Sequence, residues 1–283
     1  MDAIEIKNVS KRLGDFAIQD LSLVLPQGSI CGLVGENGAG KTTAIRMIMD
    51  ALRPDSGEIR VLGVDNRSPE FHRVKEDVGI VLDEAHFPET LNARQVGLIM
   101  ADTYQRWDAE AYDGFLKRFG LPLKKAFKDY SRGMTMKLAI AVALSHSPKL
   151  LILDEATSGL DPIVRDEILE IFSEFTRDES CSILISSHIV SDLEKLCDYI
   201  AFLHRGRLRF SMEKDALRDE FGIVACNKRR LSELPQGVVL GAEESPYGVR
   251  ALVKRSLVPA SLPVERPSLE DIILFLVKGE KQA

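Results

Sequence analysis

Residues 29–42 read Ser29-Ile-Cys-Gly-Leu-Val-Gly35-Glu-Asn-Gly-Ala-Gly-Lys41-Thr42. The first six are mostly apolar, without polar alternation, as expected of a strand covered on both faces. The next eight fit GxxxxGK[ST], and a helical pattern over 41–52 opens on the lysine. Strand, glycine loop and helix, in that order, decide the fold. Gly35, Glu36, Asn37, Gly38, Ala39 and Gly40 supply a backbone able to wrap a phosphate, because Cβ atoms at the glycines would block its approach. Successive N–H groups then form an anion nest at the positive end of a helix. Lys41 adds a point charge for β- and γ-phosphates, and Thr42 offers a hydroxyl to Mg2+.

Working outward, 78–82 (VGIVL), 150–153 (LLIL) and 182–187 (SILISS) are further short apolar runs. Helical patterns over 134–144 and 162–176 alternate with them, which predicts an α/β domain with a mostly parallel sheet. Residues 84–147 hold no buried-strand pattern but do hold helical ones at 93–104 and 109–119, so they read as a helical insertion. After about Arg209 the style changes. A capped helix is expected over 211–220, and short strands over 223–225, 238–240 and 249–253. A turn is expected at Ser245-Pro-Tyr-Gly248, and a final helix capped by Ser268. The expected organisation is a main domain over 1–210 and a small α+β appendage over 211–283.

The 283 residues are 45% hydrophobic and 28% charged, which excludes a disordered or collagen-like chain. No apolar run approaches 18 residues, so no transmembrane helix is expected. The N-terminus has no basic region followed by an apolar one, so no signal peptide is expected. Cys31, Cys181, Cys197 and Cys226 lack CxxC spacing and read as reduced cytosolic thiols. A net charge of −6 leaves no basic excess to displace counterions, so nucleic acid is not expected as a partner.

The run 150–153 delivers Asp154 and Glu155 to the C-terminal end of a strand, where open α/β sheets bind ligands. Asp154 suits Mg2+, a hard cation. Glu155 suits the orientation or deprotonation of an attacking water. An apolar run followed by Asp-Glu is common alone and gains meaning beside the Lys41 loop. His188 follows another such strand and can donate a hydrogen bond to a γ-phosphate oxygen. His72, His86, His146 and His204 read as structural or merely exposed. Tyr130-Ser-Arg-Gly-Met134 precedes a strong helix, with Ser131 as its N-cap and its N-terminus as a second anion site.

Gly35 to Thr43, Ser131 to Met134, Asp154–Glu155, Ser158-Gly-Leu-Asp161 and His188, in this order and spacing, resemble the ATP-binding subunit of an ABC transporter. The resemblance covers about 3–210. It implies a P-loop ATPase core with a helical subdomain, ATP and Mg2+ as ligands, and catalytic roles for Lys41, Glu155 and His188. It places Thr43 with the nucleotide-binding residues. It implies a second ATP-binding subunit, with ATP between the loop of one chain and Ser131 and Gly133 of the other. It also implies a separate integral-membrane permease, with this chain at the cytoplasmic face of the membrane. The tail is similar to those of subunits paired with ABC-2-type permeases, which implies an exporter. A short permease helix is expected against 84–89, within reach of a crosslink from position 86, and against the helical subdomain.

The sequence departs from the family pattern at several places. Arg132 stands where a first glycine is usual. Asp83 replaces the glutamine at the end of 78–82; it can coordinate Mg2+ but cannot donate a hydrogen bond. Leu13 replaces the adenine-stacking aromatic, with Phe16 the nearest ring, so little discrimination between adenine and guanine is expected. Ala156 replaces a proline. A soluble ABC-type ATPase acting on nucleic acid or ribosomes is the alternative, but such relatives carry a long coiled coil or two ATPase domains. In a P-loop kinase, Ser131 and His188 have no role.

Overall fold

In the computed structural model, residues 1–83, 87–246, 248–259 and 262–282 are described. His86 and Tyr247 lie outside them, and so do residues 84–86 of the expected permease contact and one position of the expected turn. The chain divides into two compact units, Met1–Ile189 with Leu196–Ser211, and Val190–Lys195 with Met212–Ala283.

The first unit opens with β1 (Asp2–Leu13) and β2 (Phe16–Pro26), followed by β3 (Ile30–Val34) and α1 (Lys41–Ile48). Next come β4 (Ser56–Val61), β5 (Val64–Asp65), α2 (Phe71–Val74) and β6 (Val78–Val81). The helical insertion holds α3 (Ala93–Thr103), α4 (Ala109–Arg118) and α5 (Arg132–Leu144). The chain returns through β7 (Leu150–Asp154), α6 (Pro162–Phe175), β8 (Ser182–Ser187), α7 (Val190–Leu196), β9 (Tyr199–His204) and β10 (Arg207–Glu213), of which 190–195 and 212–213 belong to the second unit.

Two sheets result. One is a six-stranded sheet in the order β10-β9-β3-β8-β7-β6, whose pairs β3–β8, β3–β9, β7–β8 and β6–β7 are parallel. Every residue of β3, β7 and β8 is buried, which is why their sequences show no alternation. The other is an antiparallel sheet, β2-β1-β4-β5, which the reading above did not anticipate. Its strands alternate: in β2, Ile18, Leu21, Leu23 and Leu25 are buried and Gln19, Asp20, Ser22 and Val24 are not. One face joins a core shared with α1, where Ile45, Met47 and Ile48 pack.

Capping residues set the insertion's geometry. Asn92 and Gln95 form a reciprocal capping box on α3, and Asp108 caps α4 by accepting from Ala111 N. Asp161 caps α6, with Pro162 in its first turn. Helix α1 ends at Ile48, four residues before the expected end, and Asp50 follows with φ +53, a backbone conformation that does not continue a helix.

The second unit contains α8 (Lys214–Glu220), β11 (Phe221–Cys226), α9 (Lys228–Ser232), β12 (Val239–Ser245), β13 (Gly248–Lys254) and α10 (Leu269–Gln282). The strands form an antiparallel sheet, β11-β13-β12. The helix expected from Ser211 starts only at Lys214, because Ser211 lies within β10. Ser268 caps α10 as expected, its Oγ accepting from Asp271 N at 3.0 Å. Gly241 and Gly279 bring α10 onto β12: a Cβ on Gly241 would lie 1.9 Å from Phe275 O, and one on Gly279 2.0 Å from Leu240 O.

His146, between α5 and β7, is fully buried. Its ring stacks on Tyr104 with centroids 4.1 Å apart, and Nδ1 lies 3.1 Å from Glu76 O. Burial lowers its pKa, more than the Glu76 carbonyl raises it. The folded chain therefore takes up this proton less readily than the unfolded chain. The stability from the neutral ring is complete above about pH 6.5 and is lost as pH falls through the lowered folded value. Thermal melts between about pH 7.5 and 5 should show Tm falling with acidity. His146→Phe, which keeps the stack, should flatten part of that fall. Equal slopes for both proteins would assign the acid sensitivity elsewhere.

A nucleotide cleft at the strand ends

Strands β3, β8, β7 and β6 are consecutive in the large sheet and parallel, so their C-terminal ends lie at one edge. The glycine loop follows β3, His188 follows β8, Glu155 follows β7, and Asp83 lies two residues beyond β6. This is the edge where open α/β sheets bind ligands. Asn37, Gly38, Gly40 and Lys41 line a cleft there with Thr42 and Thr43. Phe16, Asp83 and Glu155 complete it.

The loop is shaped by its small residues. Gly38 and Gly40 have φ +81 and +111, the left-handed region that favours glycine. Gly35 has no room for a side chain, since a Cβ would lie 2.4 Å from Leu203 O. Ala39 is buried and Glu36 exposed, and the Glu36 carbonyl accepts from Ala39 N at 3.0 Å.

Lys41 is buried, its ammonium 2.7 Å from Gly35 O and 3.3 Å from Glu36 O. It also lies 3.1 Å from Glu155 Oε1. The other Glu155 oxygen lies 2.7 Å from His188 Nδ1. The carboxylate needs a donor there, so Nδ1 carries a hydrogen. That N–H serves Glu155. Glu155 itself has φ +52, a strained setting for a non-glycine residue, and its N–H donates to Ser186 O at 3.1 Å.

Asp154 is buried, one carboxylate oxygen accepting from Thr42 Oγ1 at 2.7 Å and the other from Ser186 Oγ at 2.5 Å. Ser186 was not singled out in the sequence. The trace was available: a polar residue in an apolar buried strand needs a partner. The oxygen-only pair Thr42 and Asp154 fits a hard cation such as Mg2+. Asp83 lines a pocket with both, and its Oδ1 accepts from Arg132 Nη2 at 2.7 Å.

Ser131 and Gly133 are not brought to the loop. They line a second cleft with Arg132, Lys137 and residues 159–161. Ser131 caps α5 as expected, its Oγ accepting from Met134 N at 3.3 Å. Leu13, at the end of β1, is 40% exposed, whereas Phe16 packs on the loop, with Cζ 2.9 Å from where a Cβ on Gly40 would stand.

A family model described as ABC transporter matches residues 18–158. The chain is 36% identical to the bacitracin transport ATP-binding protein BcrA of Enterococcus faecalis, over 72% of this chain and 67% of that protein. It is 31% identical to the uncharacterized ABC transporter ATP-binding protein YhcH of Bacillus subtilis, over 99% of this chain and 97% of that one. A solved ATP-binding subunit of an ABC transporter superposes with a TM-score of 0.68 at 28% identity, covering 76% of this chain and 92% of the other. Phosphate loop, strand-end carboxylates and these relatives together show that the chain belongs to the ATP-binding proteins of ABC transporters, ATPases that power transport through a separate membrane component.

Proposed function

We propose that this chain binds Mg2+ and ATP at the strand-end cleft and works in a head-to-tail pair on the cytoplasmic face of the membrane, driving export of a substrate. The observation that carries this is the polar chain from Lys41 through Glu155 to His188, at 3.1 and 2.7 Å across adjacent strand ends. Lys41 meets the β- and γ-phosphates, which compete for it with Glu155 and the loop carbonyls. Glu155 then takes a proton from the attacking water, and His188 holds its carboxylate in place. Thr42 and Asp154 hold Mg2+, with Asp83 at the rim; when bound, Mg2+ neutralises phosphate charge.

The second cleft supports pairing. Ser131 and Gly133 lie with the start of α5 apart from the loop residues, so they complete a nucleotide site only when offered by another chain. Leu98 and Ile99 on α3 are exposed at 63% and 45%, which suits the helical subdomain as the permease contact. Among the described residues no helix is long and apolar enough to cross a membrane; the permease is assigned to another chain from the likeness to transporter ATP-binding proteins. Export is favoured by the likeness of the tail to ABC-2-associated subunits. The name of the relative BcrA specifies bacitracin, and that of the relative SrtF of Streptococcus pyogenes a lantibiotic. We extend the class of transport, not the cargo, to this chain.

Glu155→Gln keeps the shape of the residue and removes its basicity, while the loop, Lys41 and Thr42 remain. ATP should still bind, hydrolysis should fall by about 10²–10⁴-fold, and a closed dimer should accumulate. Lys41→Ala should instead lose nucleotide affinity and with it ATP-driven closure. Size-exclusion chromatography with Mg2+ and ATP, alongside phosphate release, decides between them. An unchanged rate for Glu155→Gln would remove Glu155 from the chemistry. A slow variant that stays monomeric would count against the two-chain sandwich.

The base should be read loosely. Leu13 offers no ring, and Phe16 is packed on the loop. Aromatic–base stacking contributes roughly 1–3 kcal/mol, which bounds what is given up. Competition binding should show similar affinities for ATP and GTP. A preference for ATP of about a hundredfold would mean that Phe16 or another ring stacks on adenine.

A further inference from the structure

The two departures nearest the cleft, Asp83 and Arg132, touch each other. Arg132 Nη2 donates to Asp83 Oδ1 at 2.7 Å, and both side chains are about half exposed, at 51% and 49%. The pair joins residues with different positions in the molecule. Asp83 rims the cleft that also holds Thr42 and Asp154. Arg132 opens α5 between Ser131 and Gly133, in the second cleft. Its guanidinium lies over Gly159, where a Cβ would stand 3.2 Å from Cζ, so the segment after Glu155 leaves room for it.

We propose that Arg132 is a positioning residue whose ion pair with Asp83 couples occupancy of the chain's own nucleotide cleft to the placement of Ser131 and Gly133. The inference rests on the nucleotide reading given above. Asp83 is a single negative charge with two claimants. While Arg132 holds it, its carboxylate is less available to a cation beside Thr42 and Asp154. When the loaded cleft draws it in, Arg132 and the first turn of α5 are released. The effect is reciprocal, as any coupling between two sites must be. Exposed ion pairs bias an equilibrium by no more than about fivefold, enough to shift the position of α5 and weak enough to break in each cycle. A glutamine at position 83 would have no charge to attract the guanidinium, and a glycine at position 132 would have no side chain to offer the carboxylate.

A double-mutant cycle tests this, with calorimetric binding of a non-hydrolysable ATP analogue and Mg2+ to the full chain. Arg132→Met should tighten binding about three- to fivefold. Arg132→Lys, which keeps the charge, should stay near the parent. In an Asp83→Asn background, Arg132→Met should change nothing. Hydrogen exchange supplies an independent readout: the analogue should raise exchange of the amides at 133–135 in the parent and not in Asp83→Asn. An equal effect of Arg132→Met in both backgrounds, or none in either, overturns the proposal. If the parent chain does not bind the analogue, the nucleotide reading itself fails and the coupling falls with it.

Discussion

Asp154 is 2% exposed, one carboxylate oxygen resting on the Thr42 hydroxyl and the other on that of Ser186. A buried carboxylate is costly unless its oxygens are bonded. Here the bonding groups come from two other elements, the start of α1 and the end of β8. The charge therefore ties the phosphate loop, β7 and β8 into one rigid edge. Glu155, next in the chain, inherits that placement. Its left-handed backbone turns it away from the strand direction, so that one oxygen meets Lys41 and the other His188. The cation, the candidate base and its orienting histidine are set by one strand end.

Where backbone burial dictates sequence, that sequence can be read. Strands β3, β7 and β8 are buried on both faces and appear as unbroken apolar runs, and the glycine loop needs positive φ at Gly38 and Gly40. The antiparallel sheet was missed for the opposite reason. In β2, buried Leu21, Leu23 and Leu25 alternate with Ser22 and Val24, a weaker pattern than the motif that follows it. The expected cap at Ser211 failed because β10 extends through it to Glu213, pairing with β9 in the large sheet.

Side-chain partnerships were least legible. Nothing in SILISS says which serine meets Asp154; register does, since Asp154 stands opposite Ser186. Asp83 and Arg132 are 49 positions apart and each reads as an isolated departure until the structure joins them. In the second unit, Gly241 and Gly279 carry no mark of their mutual contact, which appears only when α10 is laid on β12.

One cleft changes partners: Lys41 and the Thr42–Asp154 pair are held by protein groups that a Mg2+–nucleotide must displace or join. A structure of the chain with Mg2+ and a non-hydrolysable ATP analogue tests it most directly. The Lys41 ammonium should then lie on the β- and γ-phosphate oxygens and no longer on Glu155, with the Glu155 carboxylate facing a water beside the γ-phosphate, and Thr42 and Asp154 should hold the cation. An analogue bound elsewhere, with the Lys41–Glu155 and Thr42–Asp154 contacts intact, would contradict it.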